Sequence, residues 1–111
     1  MSDEIPEADW KTFRELRTVA LERFCERVLA ELVKLATDSP GSNHERYLAV
    51  YQLIKKRDKE LAGAFDDFRR STAVRQIAII QSRGLWTEEE LARFSAETRA
   101  AAEFLMGLGG G

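Results

Sequence analysis

The sequence predicts an all-α fold, and two observations carry that prediction. Small polar residues that can cap a helix recur at Ser42, Ser71, Thr87 and Ser95. Between these positions apolar residues repeat at helical spacing, and no set of segments alternates as half-buried strands do. We therefore predict a bundle of four to five helices led by a long antiparallel helical hairpin.

Length and composition are those of one folded domain. The chain has 111 residues, close to the commonest domain size. Hydrophobic residues make up 44% and charged residues 32%, which excludes the composition of a disordered chain. The 17 basic and 19 acidic side chains leave a formal net charge of −2, so no overall field would attract nucleic acid or an anionic membrane.

The ends of the sequence predict its organisation and location. Residues 1–8 are polar and acidic, unlike the basic start and apolar run of a signal peptide, and no stretch of about 18 apolar residues follows. We therefore expect a cytoplasmic protein that does not span a membrane. We interpret residues 1–8 as a flexible acidic arm, 9–106 as a single helical domain and 107–111 as a flexible Gly-rich tail.

The first two helices are predicted to form the hairpin. The first runs from Trp10 to Ala36 with Asp9 as its N-cap, because this stretch lacks Gly and Pro and keeps one broad apolar face. The turn at residues 37–41 contains Pro and Gly. Ser42 and Glu45 then match a capping box for a second helix that runs at least to Ala64. Whether it continues through residues 66–70 stays open.

The remaining helices are shorter. A third is predicted between Ser71 or Thr72 and Arg83, with Gly84 as the left-handed residue that follows it. Its apolar residues cover most of its circumference, so we place it at the centre of the fold. Thr87 and Glu90 match a second capping box, opening a short helix that ends near Phe94. Ser95 begins the last helix.

Two charges interrupt the apolar stripes of the hairpin. Asp58 lies at the centre of the apolar stripe of the second helix, and Arg17 lies on the apolar face of the first. An unpaired buried carboxylate would cost several kcal/mol, so Asp58 needs a partner. In an antiparallel hairpin the two residues lie within about two turns of the same level. We therefore predict a buried Arg17–Asp58 ion pair.

Among the predicted helix starts, positive charge concentrates at that of the third helix. Free backbone N–H groups beside several arginines form a possible site for a phosphate or carboxylate, made of Arg69, Arg70, Ser71, Thr72 and Arg75. The run 71–85 also resembles the recognition helix of GntR-type winged-helix regulators, which implies DNA binding through this helix. Two features argue against DNA binding. A helix start occupies the position where the wing strands should follow, and a recognition helix needs one solvated face, whereas this helix is apolar over most of its circumference.

Catalytic and metal-binding patterns are missing from the sequence. His44 has no second ligand at metal-binding spacing, and Cys25 has no neighbouring base that would activate it. The chain has no GxSxG, Gly-rich phosphate loop, HExxH or ExxH motif. We therefore predict neither an enzyme nor a site for a metal or cofactor.

Self-association is predicted from the length of the first helix. About 27 residues give about 40 Å of helix, more than the roughly 34 Å diameter of a compact globule of this size. Part of its apolar face should therefore overhang, and the candidate interface residues are Trp10, Phe13, Leu21, Phe24 and Val28.

The leading hypothesis is thus a small interaction or structural protein that forms a homodimer with its first helices packed together, with a further protein partner as an option. We expect neither a nucleic-acid nor a membrane partner. The alternatives are a nucleic-acid-binding regulator that uses the 71–83 helix, and a small-molecule or anion-binding domain. That domain would have its site near Asp58, Tyr47 and Tyr51 or at the arginine cluster.

Overall fold

The first helix, α1, spans Glu7–Asp38 in the computed structural model, which describes residues 4–110. Its 32 residues give about 48 Å of helix. It begins three residues before the predicted Trp10. The residue at the N-cap is Pro6, and no side chain caps this end. The prediction that Asp9 caps its own helix was wrong, because Asp9 already lies inside the first turn.

The second helix, α2, spans Asn43–Phe65 and packs along α1 as the second arm of the hairpin. The predicted capping box is confirmed, since Ser42 Oγ accepts from the Glu45 N–H and the Glu45 carboxylate accepts from the Ser42 N–H, both at 3.1 Å. The helix ends at Phe65 because the next residue is extended and Asp67 has a φ of 57°. The second and third helices are therefore separate.

The third helix, α3, spans Ala73–Ser82 after a 3-10 turn at Arg70–Thr72. Its central position is confirmed, because it contacts α1, α2 and α5 and half of its residues are buried. The buried Gln76 amide donates to the Asp66 and Asp67 carbonyls, and Trp86 Nε1 donates to the Ile77 carbonyl at 3.2 Å. These bonds fix α3 to the loops on both sides.

The end of α3 and the starts of the last two helices lie where the sequence predicts them. Gly84 has a φ of 67°, and the buried Leu85 donates its N–H back to the Ile80 carbonyl, as expected of a helix ended by glycine. The capping box of Thr87 opens α4, Glu88–Leu91. The last helix, α5, spans Ala96–Gly110.

A buried aromatic cluster joins the lower half of the hairpin to α3, α4 and α5. We call this half of the molecule the base; its aromatic core comprises Phe13, Phe24, Phe65, Trp86 and Phe94. The other half, the distal hairpin, consists of residues 29–56. The molecule measures 57 × 25 × 23 Å with a radius of gyration of 16.7 Å, against about 13 Å for a compact domain of this length. The hairpin therefore projects from the base.

The two predicted flexible ends differ from the structure. Ile5 is buried, its carbonyl accepts from Arg70 Nε at 3.0 Å, and residues 7–8 are helical, so residues 5–8 are not a loose arm. The Gly-rich stretch is helical and continues α5 through Gly110, where the sequence predicts a flexible tail. Residues 1–3 and Gly111 lie outside the described part of the chain. Within that part, no helix combines the length and apolar character that a membrane crossing requires.

Candidate functional site

A groove runs between α1 and α2 on one face of the hairpin, and we call it the open groove. It encloses about 360 Å³ and is lined almost entirely by apolar atoms. From α1 the lining includes Phe24, Cys25, Val28, Leu29 and Leu32, and from α2 it includes Ile54, Arg57, Asp58 and Leu61. Because all nine positions follow helical spacing, the groove is built by two continuous stripes that face the same way.

The opposite side of the same helix pair is closed by polar groups. Arg57 donates to the Glu31 carboxylate at 2.9 Å and to the Glu60 carboxylate at 2.8 Å. Arg27 donates to the carbonyls of Arg83 and Gly84 at 3.0 and 2.8 Å. The turn after α3 thus covers this side of the hairpin and leaves the open groove as its uncovered side.

Large apolar side chains around the open groove are exposed. Leu29 and Val33 on α1 are 61% and 63% exposed, and Tyr47 and Tyr51 on α2 are 68% and 50% exposed. Leu48 and Ile54 are exposed as well. Six of the nine exposed large hydrophobic residues found in the described part of the chain therefore belong to the distal hairpin. The groove and these side chains together form one apolar surface.

Only part of the predicted interface lies on this surface. Phe13 is buried in the base and Trp10 is half-buried against the Phe68 ring at 4.9 Å, so the choice of these two as interface residues was wrong. Their end of α1 is covered by the base. Phe24 is also buried, but it lines the inner end of the open groove. Leu21 and Val28 are half-buried, and Val28 lines the groove. The overhanging part of the stripe is the C-terminal half of α1.

The predicted Arg17–Asp58 ion pair was wrong. Asp58 is exposed at the open groove, whereas the Arg17 side chain reaches the C-terminal end of α2. Arg17 Nη2 donates to the Phe65 carbonyl at 2.6 Å, and its guanidinium lies 4.4 Å from the centre of the Phe68 ring. The end of a helix offers free carbonyl groups that satisfy an arginine without a carboxylate.

The predicted anion site is not assembled, because its arginines bind groups of the protein itself. Arg69 donates to the Asp67 carboxylate at 2.7 and 2.9 Å, Arg75 lies 4.0 Å from the same carboxylate, and Arg70 binds the Ile5 carbonyl. Arg69 lowers the pKa of Asp67, so that carboxylate stays charged and holds the arginines. Ser71 is exposed and Thr72 Oγ1 binds the backbone at residues 67 and 69.

Asp9 is a buried carboxylate whose role the sequence did not reveal. It is 3% exposed and accepts from the Ser95 N–H, from Ser95 Oγ and from Thr98 Oγ1. Burial alone would raise the pKa of Asp9, but these hydrogen bonds outweigh it, and the pKa lies below its ordinary value. Ser95 caps α5 as predicted, because its Oγ accepts from the Thr98 N–H at 3.2 Å, and Asp9 supports this cap from α1. A sequence shows caps only from neighbouring residues, so no local signal marked the contribution of Asp9.

The other singled-out residues form no catalytic or metal centre. His44 is exposed in the first turn of α2, and Cys25 is a half-buried free cysteine beside the groove. No group of three or more potential ligands that could hold a metal ion occurs among residues 4–110. Of the residues of α3, only Arg75 and Ser82 are exposed, and they lie on one narrow side of the helix.

Comparison with protein-family models, curated proteins and solved structures found no match to this chain. The open groove is therefore interpreted from its own residues.

Proposed function

We propose that this protein is a helical interaction protein that self-associates through the open groove and the exposed side chains around it. The observation that carries the proposal is the concentration of exposed large apolar residues on the distal hairpin. Scattered exposed apolar residues are ordinary, but a contiguous patch of them usually marks an interface. Here the patch follows both helices beside a groove.

The shape of the hairpin favours a helical partner. Two antiparallel helices with a groove between them present half of a four-helix bundle, and a second hairpin laid face to face would complete it. A second copy of the chain is the simplest source of that hairpin, because closed two-fold dimers are the commonest oligomers. The base lies at one end of the hairpin, so the distal hairpin stays open to the approach of a partner.

The mass of the protein in solution tests the proposal. We expect light scattering to give twice the chain mass, falling toward one chain mass on dilution. Leu29→Ser should weaken the dimer about tenfold or more, because it removes a large apolar side chain from the centre of the surface. A wild-type mass of one chain at every concentration would contradict self-association.

Phe104→Ser is the matched control for this variant. Phe104 is 68% exposed and lies on α5, away from the hairpin, whereas Leu29 is 61% exposed. We expect the control to leave the affinity of the dimer unchanged, because Phe104 lies outside the open groove and would not contact the second copy. Equal weakening by both variants would indicate non-specific association and would count against the groove.

A small apolar ligand in the open groove is the second candidate. The volume of about 360 Å³ falls in the range of ligand sites, and the lining is apolar except for Arg57 and Asp58. Native mass spectrometry of the purified protein separates the candidates. A monomer that carries a constant added mass would favour the ligand, and a dimer without added mass would favour self-association.

A further inference from the structure

We propose that the two copies pack antiparallel, with Asp58 of each copy facing Lys55 of the other. The two-fold axis then passes between the two α2 helices, level with the bond between Lys56 and Arg57. This inference rests on the proposed self-association and specifies its geometry and its central contact.

Asp58 is the charged residue that the open groove leaves without a partner. It makes no hydrogen bond or ion pair with any residue in the described range 4–110. Its neighbour Arg57 cannot serve, because Glu31 and Glu60 already hold that guanidinium. A second copy that covers the groove removes water from the Asp58 carboxylate, which then requires a cation. In the structure Lys55 of the same chain lies over Tyr51 and does not pair with Asp58, so we assign the cation to the second copy.

Lys55 is the cation in the right place. It is exposed, lies three residues from Asp58 on α2 and forms no salt bridge within residues 4–110; its Nζ lies 5.4 Å from the centre of the Tyr51 ring. Opposite charges three residues apart on one helix are self-complementary under an antiparallel two-fold axis. When Asp58 faces the partner's Lys55, Lys55 also faces the partner's Asp58. The ion pair therefore forms twice in each dimer.

A parallel dimer would leave Asp58 unpaired. In that arrangement α2 of one copy faces α1 of the other at the same level. Within one copy Glu31 lies beside Arg57 at 2.9 Å, so Asp58 would face the partner's α1 around Leu29 and Leu32, where the groove lining is apolar.

The ion pairs that a parallel dimer would gain do not offset the cost of leaving the Asp58 carboxylate unpaired. They would form between Glu26 and Lys59, both exposed at the rims of the groove. An exposed ion pair contributes little, whereas an unpaired buried carboxylate is expensive. The balance therefore favours the antiparallel arrangement.

The antiparallel arrangement also covers the exposed apolar residues. The level on α1 that matches the two-fold axis is near Leu32, so Leu29 and Val33 lie within one turn of the axis. The partner's α1, which ends at Asp38, then reaches nearly to Phe24, where the open groove ends. The distal hairpin of each copy thus fills the groove of the other.

Charge exchange tests the contact between Asp58 and Lys55. We expect Asp58→Lys and Lys55→Asp each to weaken their own homodimer about tenfold or more, because each places like charges face to face. An equimolar mixture of the two variants should form a heterodimer that is tighter than either homodimer. Lys11→Asp is the matched control, an exposed lysine in the part of α1 that belongs to the base, and it should change the affinity less than about twofold.

A distance measurement tests the orientation independently. Spin labels at His44→Cys in a Cys25→Ala background should lie about 40 Å apart in the antiparallel dimer, and about 15 Å apart in the parallel one. A dimer with the short distance, or a charge mixture that forms no preferred heterodimer, would overturn the inference while leaving self-association intact. A wild-type protein that stays monomeric would overturn both.

Discussion

Asp9 in the first turn of α1 accepts a hydrogen bond of 2.5 Å from Thr98 Oγ1 in α5, across 89 residues of sequence. The Ser95 hydroxyl and N–H donate to the same carboxylate at 2.6 and 2.8 Å. One buried carboxylate therefore joins the first helix to the start of the last and satisfies the polar groups there.

The first prediction concerns the loss of this carboxylate. Asp9→Ala should lower the free energy of unfolding by about 2–3 kcal/mol, because it removes charge-assisted hydrogen bonds and leaves buried donors unpaired. Denaturant unfolding measures the change. Glu7→Ala is the control, an exposed acid in the same helical turn that should cost about 0.5 kcal/mol. Similar costs for both variants would contradict the capping role.

The second prediction is the pH dependence of the same contact. The pKa of Asp9 is lowered in the folded state, so its contribution to stability is present above the unfolded pKa of about 4 and is lost as the pH falls through the folded value. The difference in unfolding free energy between wild type and Asp9→Asn should therefore shrink below about pH 4. A difference that stays constant from neutral pH to pH 2 would show that the charge contributes nothing.

The third prediction concerns Glu90, which has two roles. Its carboxylate accepts from the Thr87 N–H in the capping box and from both terminal nitrogens of Arg23 on α1, at 2.5 and 2.9 Å. The hydrogen bonds from Arg23 lower the pKa of Glu90. Glu90→Ala should cost about 2 kcal/mol, and a double-mutant cycle with Arg23→Ala should give a coupling of about 1 kcal/mol. The exposed Glu89→Ala should be nearly neutral; additive effects of the first pair would contradict the contact.

The fourth prediction concerns the centre of the fold. Ile77 and Ile80 on α3 are 1% and 0% exposed. Replacing either with Ala should lower the free energy of unfolding by about 3 kcal/mol, because the surrounding helices cannot close the cavity. Arg75→Ala on the exposed side of α3 should change it by less than about 0.5 kcal/mol. Thermal and denaturant unfolding check both values.

The fifth prediction separates Arg17 from Asp58. Arg17→Ala should cost about 1–2 kcal/mol, because it leaves the Phe65 carbonyl without its donor and removes the cation from the Phe68 ring. In a double-mutant cycle at low protein concentration, Asp58→Ala should add no coupling to it. A coupling above about 1 kcal/mol would show that the two charges interact after all.

The features that the sequence predicted correctly are local. The capping boxes at Ser42 and Thr87 and the left-handed Gly84 each depend on residues within one turn of the chain. The pattern of α3 also predicted its burial, because apolar residues cover most of its circumference. These parts of the fold follow from short-range chemistry.

The features that the sequence did not reveal depend on tertiary placement. The sequence predicts an Arg17–Asp58 pair because both residues interrupt apolar stripes. In the structure Asp58 lies at the open groove, whereas Arg17 donates to a carbonyl at the end of α2. The overhang of the first helix was anticipated, but not which end of it would project. That depends on where α3, α4 and α5 pack, and no periodicity within α1 encodes it.

The uneven distribution of long-range contacts has a consequence for the order of folding. The hairpin closes through a turn of four residues, 39–42, whereas the base needs Glu90 to reach Arg23 and Ser95 to reach Asp9. Local contacts form sooner than contacts that close long loops. During synthesis on the ribosome, we therefore expect the hairpin to form while the residues that complete the base are still missing. At that stage both of its faces are open, and a neighbouring nascent chain can meet the groove before the base has folded.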